Sequence, residues 1–353
     1  MRRFSILVAV ITALVLFAPV LNAAELSQPS YKVIEELDVK VTMRDGIRLS
    51  TNIYRPDAEG KFPALLTRTP YGNGGANNSG GHYWAERGYV TIIQDTRGRF
   101  ESEGLFYPVI FEAEDGLDTQ KWVSEQPWCN GKIGTFGGSY VGMTQWMPAL
   151  KGSSYVNAMF TTVPYTENYT VAFQNGAFRL RLYTEWYTMM TAPYNIDSKE
   201  FMNNDSDRVD RFLPLIEQDK QTGWRLPFIR DVLGHPKHDS YWEPIRFEGN
   251  YRNVRSAVYI VAGWYDLFTG QNLKNYMEMT KSTIPGDIRS KQKIIVGPWG
   301  HGTWGSSKIG DLDFGGDANV VETYISYLRK KLDPLGPPLI QTVRLVGYAL
   351  RES

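Results

Sequence analysis

The stretch Gly131-Lys-Ile-Gly-Thr-Phe-Gly-Gly-Ser-Tyr-Val-Gly-Met-Thr-Gln-Trp-Met-Pro148 constrains this chain more than any other. Asn130-Gly131 is a turn signal, and the apolar run Ile133 to Phe136 reads as a short buried strand. Gly137, Gly138 and Ser139 follow, and the residues are then helix-compatible until Pro148 stops the pattern. A strand that passes through Gly-Gly-Ser into a helix has the geometry of a nucleophile elbow. The generic pattern G-x-S-x-G puts a glycine two residues after the serine. Here that position is Val141, and the glycine arrives one later as Gly142. Taken alone, the stretch fits either an elbow or an ordinary tight strand-to-helix turn.

The rest of the chain supplies the context. Val33 to Thr42 and Ile47 to Tyr54 alternate around Met43-Arg-Asp-Gly46, which predicts a hairpin. Ala64 to Thr69 and Val90 to Asp95 read as strands, separated by a glycine-rich loop and a short helix over 82–87. Glu112 to Glu125 has helical spacing, and Val156 to Thr162 reads as a strand. From about Pro164 to Asn250 this rhythm fails, and aromatic residues are interspersed with polar helical stretches. It resumes with a strand at Ala257 to Ala262, a helix at Gly270 to Lys281, a strand at Lys291 to Val296 and a helix at Ala318 to Leu332. This predicts an α/β fold, with a mostly parallel sheet, helices on both faces and a mostly helical cap inserted between its halves. The expected boundaries are 25–163 and 251–335 for the sheet domain, with the cap at 164–250.

The first 24 residues read as an address. Arg2-Arg3 precede an apolar run from Ile6 to Val20, and Ala23-Ala24 offer small residues for cleavage. The run is too short for a membrane span and fits a secretory signal peptide, which predicts a periplasmic or secreted protein with no membrane attachment after cleavage. Leu21 or Asn22 three residues before the cut leaves an uncleaved N-terminal anchor as the alternative. The single cysteine, Cys129, excludes an intramolecular disulfide. The formal net charge is zero, which argues against nucleic acid as a partner.

A nucleophilic serine requires a base, and the chain has four histidines, His82, His235, His238 and His301. His301 follows the strand Ile294 to Val296 in Gly297-Pro-Trp-Gly-His-Gly302, at the strand end where α/β sheets present their chemistry. Asp266 follows the preceding strand in the same way. Ser139, Asp266, His301 is the chain order of an α/β-hydrolase triad. The first oxyanion donor expected is the backbone amide of Tyr140, and the loop after the first central strand offers the phenol of Tyr71 as the second. No His/Asp/Glu cluster has metal-ligand spacing, so neither metal nor cofactor is expected.

Several stretches together carry a family resemblance: Arg44-Asp-Gly-Ile-Arg-Leu49, Arg68-Thr-Pro-Tyr71, Gln94-Asp-Thr-Arg-Gly-Arg99, Gln126 to Gly134, Gly137-Gly-Ser-Tyr140 and Gly297 to His301. Over residues 31–335 the chain resembles the CocE/NonD hydrolases, the group of cocaine esterase, α-amino acid ester hydrolases and X-Pro dipeptidyl-peptidases. The resemblance implies that the serine of G-x-S-Y-x-G, Ser139, is the nucleophile. It implies that the tyrosine of T-P-Y, Tyr71, is an oxyanion donor, and that Asp266 and His301 complete the triad. It also implies an acyl pocket lined by Phe268 and cap aromatics such as Trp186 and Tyr187. The activity implied is cleavage of an acyl ester or amide through an acyl-enzyme. The substrates in prospect are a small ester, an amide or a short peptide, with an X-Pro dipeptidyl-peptidase as the alternative.

The chain departs from that family in two places. Members selective for α-amino acyl groups carry a carboxylate two residues past the tyrosine, where this chain has Asn73. Members also continue into a C-terminal jelly-roll domain. Here Asp333-Pro-Leu-Gly-Pro-Pro338 leads into one strand-like run, Ile340 to Val346. Residues 336–353 are therefore expected to be a linker and the start of a truncated β-sandwich. Its exposed apolar edge would favour self-association, so a homo-oligomer is compatible with this reading, as is a catalytically impaired fragment.

Overall fold

The computed structural model describes residues 27–187, 190, 210–221, 227–246, 249–281, 283–303, 306, 308–313, 340–343 and 347–350. An eight-stranded sheet forms the centre. Its strands are β1 (Val33–Thr42), β2 (Arg48–Pro56), β3 (Phe62–Thr69), β4 (Val90–Asp95), β5 (Cys129–Gly138), β6 (Val156–Thr162), β9 (Ala257–Tyr265) and β10 (Lys293–Gly300). Between β6 and β9, the strands β7 (Phe173–Gln174) and β8 (Ala177–Phe178) form a small separate hairpin. The sheet order is β1-β2-β4-β3-β5-β6-β9-β10. Strand β2 runs antiparallel to β1 and β4, and every other neighbouring pair is parallel.

Parallel strands buried on both faces need continuous apolar or small residues, and β4 is buried at every position. Its neighbours divide by side-chain alternation. Tyr54 and Ile93 form one buried cluster with Ala85 of helix α1 (Ser79–Ala85). Ile53, Leu66 and Ile92 face the larger core with α2 (Glu112–Ser124) and α3 (Tyr140–Leu150). Helices therefore lie on both faces, as expected.

One difference concerns the helices. Helix α3 does not stop at Pro148 but carries it to Leu150, and ten of its eleven residues are buried. A Cβ on Gly116 of α2 would come within 2.9 Å of the Pro148 ring, so the two helices touch closely at this pair. Among the described residues, the expected cap contains α4 (Asn168–Ala172), the β7–β8 hairpin, a helical turn at Leu180–Leu182, a π-turn at Tyr183–Tyr187, 3-10 turns at Leu215–Gln221 and Glu243–Ile245, and α5 (Pro227–Gly234). These pieces are joined by aromatic packing around Trp242, which is 1% exposed and contacts Tyr169, Phe173 and Tyr241.

The chain runs from β3 to β4 on one side and then returns to place β5 on the other side of β3. This reversal opens a crevice beyond the carboxyl ends of β3 and β5, where open α/β sheets bind ligands. Tyr71 lies just after β3 and Ser139 just after β5. After β9 comes α6 (Thr269–Thr280), and after β10 a small hairpin of β11 (Lys308–Ile309) and β12 (Leu312–Asp313). The single strand expected over Ile340 to Val346 is instead one arm of a hairpin. Strand β13 (Ile340–Val343) pairs antiparallel with β14 (Gly347–Leu350). The helix expected over 318–332 and the first 26 residues lie outside the described residues.

Candidate active site

Ser139 has φ 56° and ψ −122°. A non-glycine residue in that region carries roughly 1–3 kcal/mol of backbone strain. The strain is held from both sides, because Ser139 N donates to Thr162 O (2.9 Å) and Ser139 O accepts from Met143 N (2.9 Å). Gly137 takes φ +137°, and a Cβ there would strike the Val141 side chain at 2.2 Å. A Cβ on Gly142 would already press on Pro164 and on the Thr162 carbonyl, at 3.1–3.3 Å. The glycine shifted by one position thus serves close approach of α3 to the end of β6, and Val141 uses the room left by Gly137.

His301 Nε2 lies 2.9 Å from Ser139 Oγ, and His301 Nδ1 lies 2.6 Å from Asp266 Oδ2. The other carboxylate oxygen of Asp266 accepts the Phe268 N–H at 2.7 Å. The Asp266 side chain is fully buried, and that of His301 is one-third exposed. Both strand ends are shaped by glycine. A Cβ on Gly263 would meet the Trp299 carbonyl at 2.2 Å, so β9 and β10 approach each other there as only glycine allows. Phe268 stands edge-on to the His301 ring (5.5 Å, 89°) and is itself packed by Tyr165.

On the facing side, the Trp186 indole N–H donates to Tyr71 Oη at 3.0 Å. Trp186 also stacks on Tyr140 (5.3 Å, 23°). Tyr71 keeps 43% of its surface open, yet its hydroxyl end is crowded enough for desolvation to push its pKa up. Tyr140 is buried. Its hydroxyl donates to Glu112 Oε1 (2.8 Å) and accepts the Val109 N–H (3.0 Å). Its backbone N–H belongs to the first turn of α3, where the helix itself offers amides no acceptor.

Sequence reasoning assigned no role to the groups behind Tyr140. Glu112 pairs with Arg68 (2.9 Å), both with side chains at most 5% exposed, and burial pushes the Glu112 carboxyl upward. Arg97 joins Asp115 (2.6 Å) to Asp45 (2.6 Å), and Arg68 reaches Asp115 at 3.9 Å. Three of the quoted sequence stretches thus meet in one charged cluster. Arg68 and Arg97 were visible in those stretches, but nothing in the sequence marked them as buried. Asn73 turns away from the crevice, since its amide donates to Ser50 Oγ and accepts from Asn52. His82 pairs with Glu35 and His235 with Asp239, while His238 packs on Tyr169, so none of the three approaches Ser139. The side chain of Tyr187 lies outside the described residues. Among the described residues no three His, Cys, Asp or Glu side chains are grouped to hold a metal, and no helix is long and apolar enough to cross a membrane.

Residues 45–303 match the X-Pro dipeptidyl-peptidase (S15) family. The cocaine esterase of a Rhodococcus species is 33% identical over 285 residues, covering 75% of this chain and 48% of that enzyme. The chain therefore spans about half the length of the curated relatives it matches. An α-amino acid ester hydrolase superposes on 92% of the chain and 59% of its own, with a TM-score of 0.64 and 22% identity, a likeness of fold alone. Residues 306–350 match a second family, the C-terminal part of transcriptional regulatory proteins. There the probable transcriptional regulatory protein TcrX of Mycobacterium tuberculosis is 52% identical over 46 residues, which is 13% of this chain and 20% of that protein. That match covers the residues expected to open a β-sandwich. From Asp45 to Thr303, the chain belongs to the S15 family, with its α/β-hydrolase fold.

Proposed function

We propose that this chain is an exported serine hydrolase that cleaves acyl esters or amides. The observation that carries the reading is the line Ser139 Oγ–His301 Nε2, His301 Nδ1–Asp266, ending on a serine in a strained turn. Ser139 Oγ attacks the acyl carbonyl while His301 Nε2 takes its proton, and the same nitrogen then returns that proton to the leaving group. Asp266 holds the imidazole in the tautomer that presents a lone pair to Ser139. The oxygen that becomes negative is received by the Tyr140 N–H and the Tyr71 hydroxyl. Water then repeats the sequence on the acyl-enzyme, with His301 again as base.

An ester with a bulky, partly aromatic acyl group is the preferred substrate, because Phe268 and Trp186 border the serine through His301 and Tyr71. The named activity of the cocaine esterase relative supports an ester, and the family description supports an X-Pro peptide bond. The test is labelling with a fluorophosphonate, followed by turnover on p-nitrophenyl esters and on Ala-Pro and Gly-Pro anilides. Expected are stoichiometric labelling at Ser139 and faster turnover of the esters. Anilide preference would make the chain a dipeptidyl-peptidase, and absence of labelling would make it an impaired fragment. Export through cleavage near Ala24 is checked by N-terminal sequencing of the processed protein.

A second reading concerns residues 306–350 alone. Their match to transcriptional regulators supports contact with duplex DNA, against the expectation drawn from net charge. Mobility shift of a duplex DNA pool by the full chain, lost on deletion of 306–350, tests it.

A further inference from the structure

Arg99 closes the Gln94-Asp-Thr-Arg-Gly-Arg99 stretch, and the chemistry above leaves it without a role. It is 6% exposed, and desolvation lowers its pKa. A buried guanidinium is normally matched by a carboxylate, because the uncompensated charge is costly to remove from water. Among the described residues no carboxylate comes within ion-pair distance of Arg99. Its donors go to two backbone carbonyls instead. Nε donates to Pro70 O at 2.9 Å, and Nη1 donates to Met190 O at 2.6 Å. The rings of Phe100 and Phe106 each lie 5.3 Å from the guanidinium, and the Asp95 carboxyl acts on it from beyond ion-pair distance.

Both carbonyls flank the same feature. Pro70 immediately precedes Tyr71, and Met190 lies four residues after Trp186, whose indole holds the Tyr71 hydroxyl. On the other side of Tyr71, Gly72 takes φ +101° under the Phe100 ring, and a Cβ there would come within 3.2 Å of it. Residues 99 and 100 thus hold the loop before and after Tyr71, while Arg99 also holds the cap segment that supplies Trp186. The positive charge also pulls down the pKa of the Tyr71 phenol against desolvation, so it favours negative charge beside that hydroxyl.

We infer that Arg99 is a positioning residue, which ties the Tyr71 loop to the cap so that the Tyr71 hydroxyl is aimed at the developing oxyanion. The inference rests on the proposed donor role of Tyr71. A purely structural arginine would affect folding or substrate binding without regard to what Tyr71 carries. A positioning arginine has an effect only while the phenol is there to be positioned. Misplacing a reacting group by about 1 Å is enough to cost on the order of a hundredfold in rate.

The experiment is a double-mutant cycle on the full chain with a p-nitrophenyl ester, with kcat expressed per fluorophosphonate-titrated site so that unfolded protein does not count. Arg99→Gln is expected to lower kcat by about 10- to 100-fold, with KM changed less than about threefold. Arg99→Lys, which reaches one carbonyl at a time, is expected to fall between and serves if the glutamine variant does not fold. In the Tyr71→Phe background either substitution is expected to cost less than about threefold more. An unchanged cost in that background would overturn the positioning role while leaving Tyr71 as donor. A Tyr71→Phe variant with full kcat would overturn the donor reading, and this inference with it.

Discussion

The Trp186 indole N–H donates to the Tyr71 hydroxyl oxygen at 3.0 Å, across 115 residues of chain. A phenol that accepts one hydrogen bond in this way keeps its own proton for a second partner. The same indole stacks on the Tyr140 ring, so one side chain touches both residues proposed to face the oxyanion. Trp186 was expected as a wall of the acyl pocket. We propose a second task for it, fixing the polarity of the proposed Tyr71 donor.

Trp186→Phe keeps an aromatic ring over Tyr140 but deletes the N–H. The Tyr71 hydroxyl is then free to rotate, and part of its population donates elsewhere. A kcat loss of about 3- to 30-fold is expected for ester hydrolysis, short of the roughly 100- to 1,000-fold typical for removal of a whole oxyanion donor. Steady-state kinetics on p-nitrophenyl esters of increasing acyl size separate this from a pocket effect. A loss that appears only in KM and grows with acyl size would leave Trp186 as a wall and nothing more.

The triad reading predicts the pattern of three substitutions. Ser139→Ala should abolish fluorophosphonate labelling and nearly all turnover, and His301→Ala should cost about as much, because the two act as a unit. Asp266→Asn keeps the shape but offers an amide N–H to Nδ1, which favours the wrong tautomer. A loss on the order of 10⁴ in kcat is expected. Turnover of Ser139→Ala within threefold of wild type would sink the assignment.

Much of this site was legible because its members follow strong apolar strands. Asp266 and His301 sit just past β9 and just past β10, and a strand's carboxyl end is readable from hydrophobic runs. Ser139 was legible through glycines whose necessity the contacts of Gly137 and Gly142 now account for. Charge burial was not legible, because the local patterns of Glu112 and Arg99 are those of solvated residues. Their partners, Arg68 and the Pro70 and Met190 carbonyls, come from distant parts of the chain. Pro148 misled as a helix stop because a local rule was overridden by packing against Gly116. In the tail, the apolar run from Ile340 showed one strand, and only the pairing of Gly347–Leu350 back on Ile340–Val343 reveals the second.

Behind Tyr140, the buried Glu112 accepts a hydrogen bond from the phenol hydroxyl and pairs with Arg68. Glu112→Gln preserves volume but leaves the Arg68 charge buried without its closest counter-ion. Removing one partner of a buried pair typically costs about 3–5 kcal/mol. The variant should show a clear fall in the urea midpoint and a smaller effect on kcat. Tyr140→Phe, which leaves Glu112 with Arg68, should be milder in stability, near the ~1–3 kcal/mol of one buried unsatisfied group. If Tyr140→Phe proves the more destabilising, the Arg68–Glu112 pair is not what supports the start of α3.

Asp95, at the end of β4, offers a prediction in pH. It is fully buried, and neither carboxylate oxygen makes a hydrogen bond of ordinary geometry among the described residues. Burial pushes its pKa from 3.8 up to about 7. The Asn73 N–H, Arg99 and Lys40 pull it back in part, and Glu101 pushes it further up. Between those two values the folded protein keeps a proton that the unfolded chain has released. The unfolded state therefore binds fewer protons, and stability falls as pH rises from about 4 to about 7. A tenfold difference in proton affinity between the folded and unfolded chains corresponds to ~1.4 kcal/mol, so the destabilisation above pH 7 is on the order of 4 kcal/mol. Asp95→Asn removes the titration while keeping the shape. Its melting temperature should exceed that of wild type by a few degrees at about pH 8, and the two should converge at about pH 4–5. Parallel stability profiles for the two proteins across that range would show that Asp95 is already ionised in the fold, held by Arg99 at longer range.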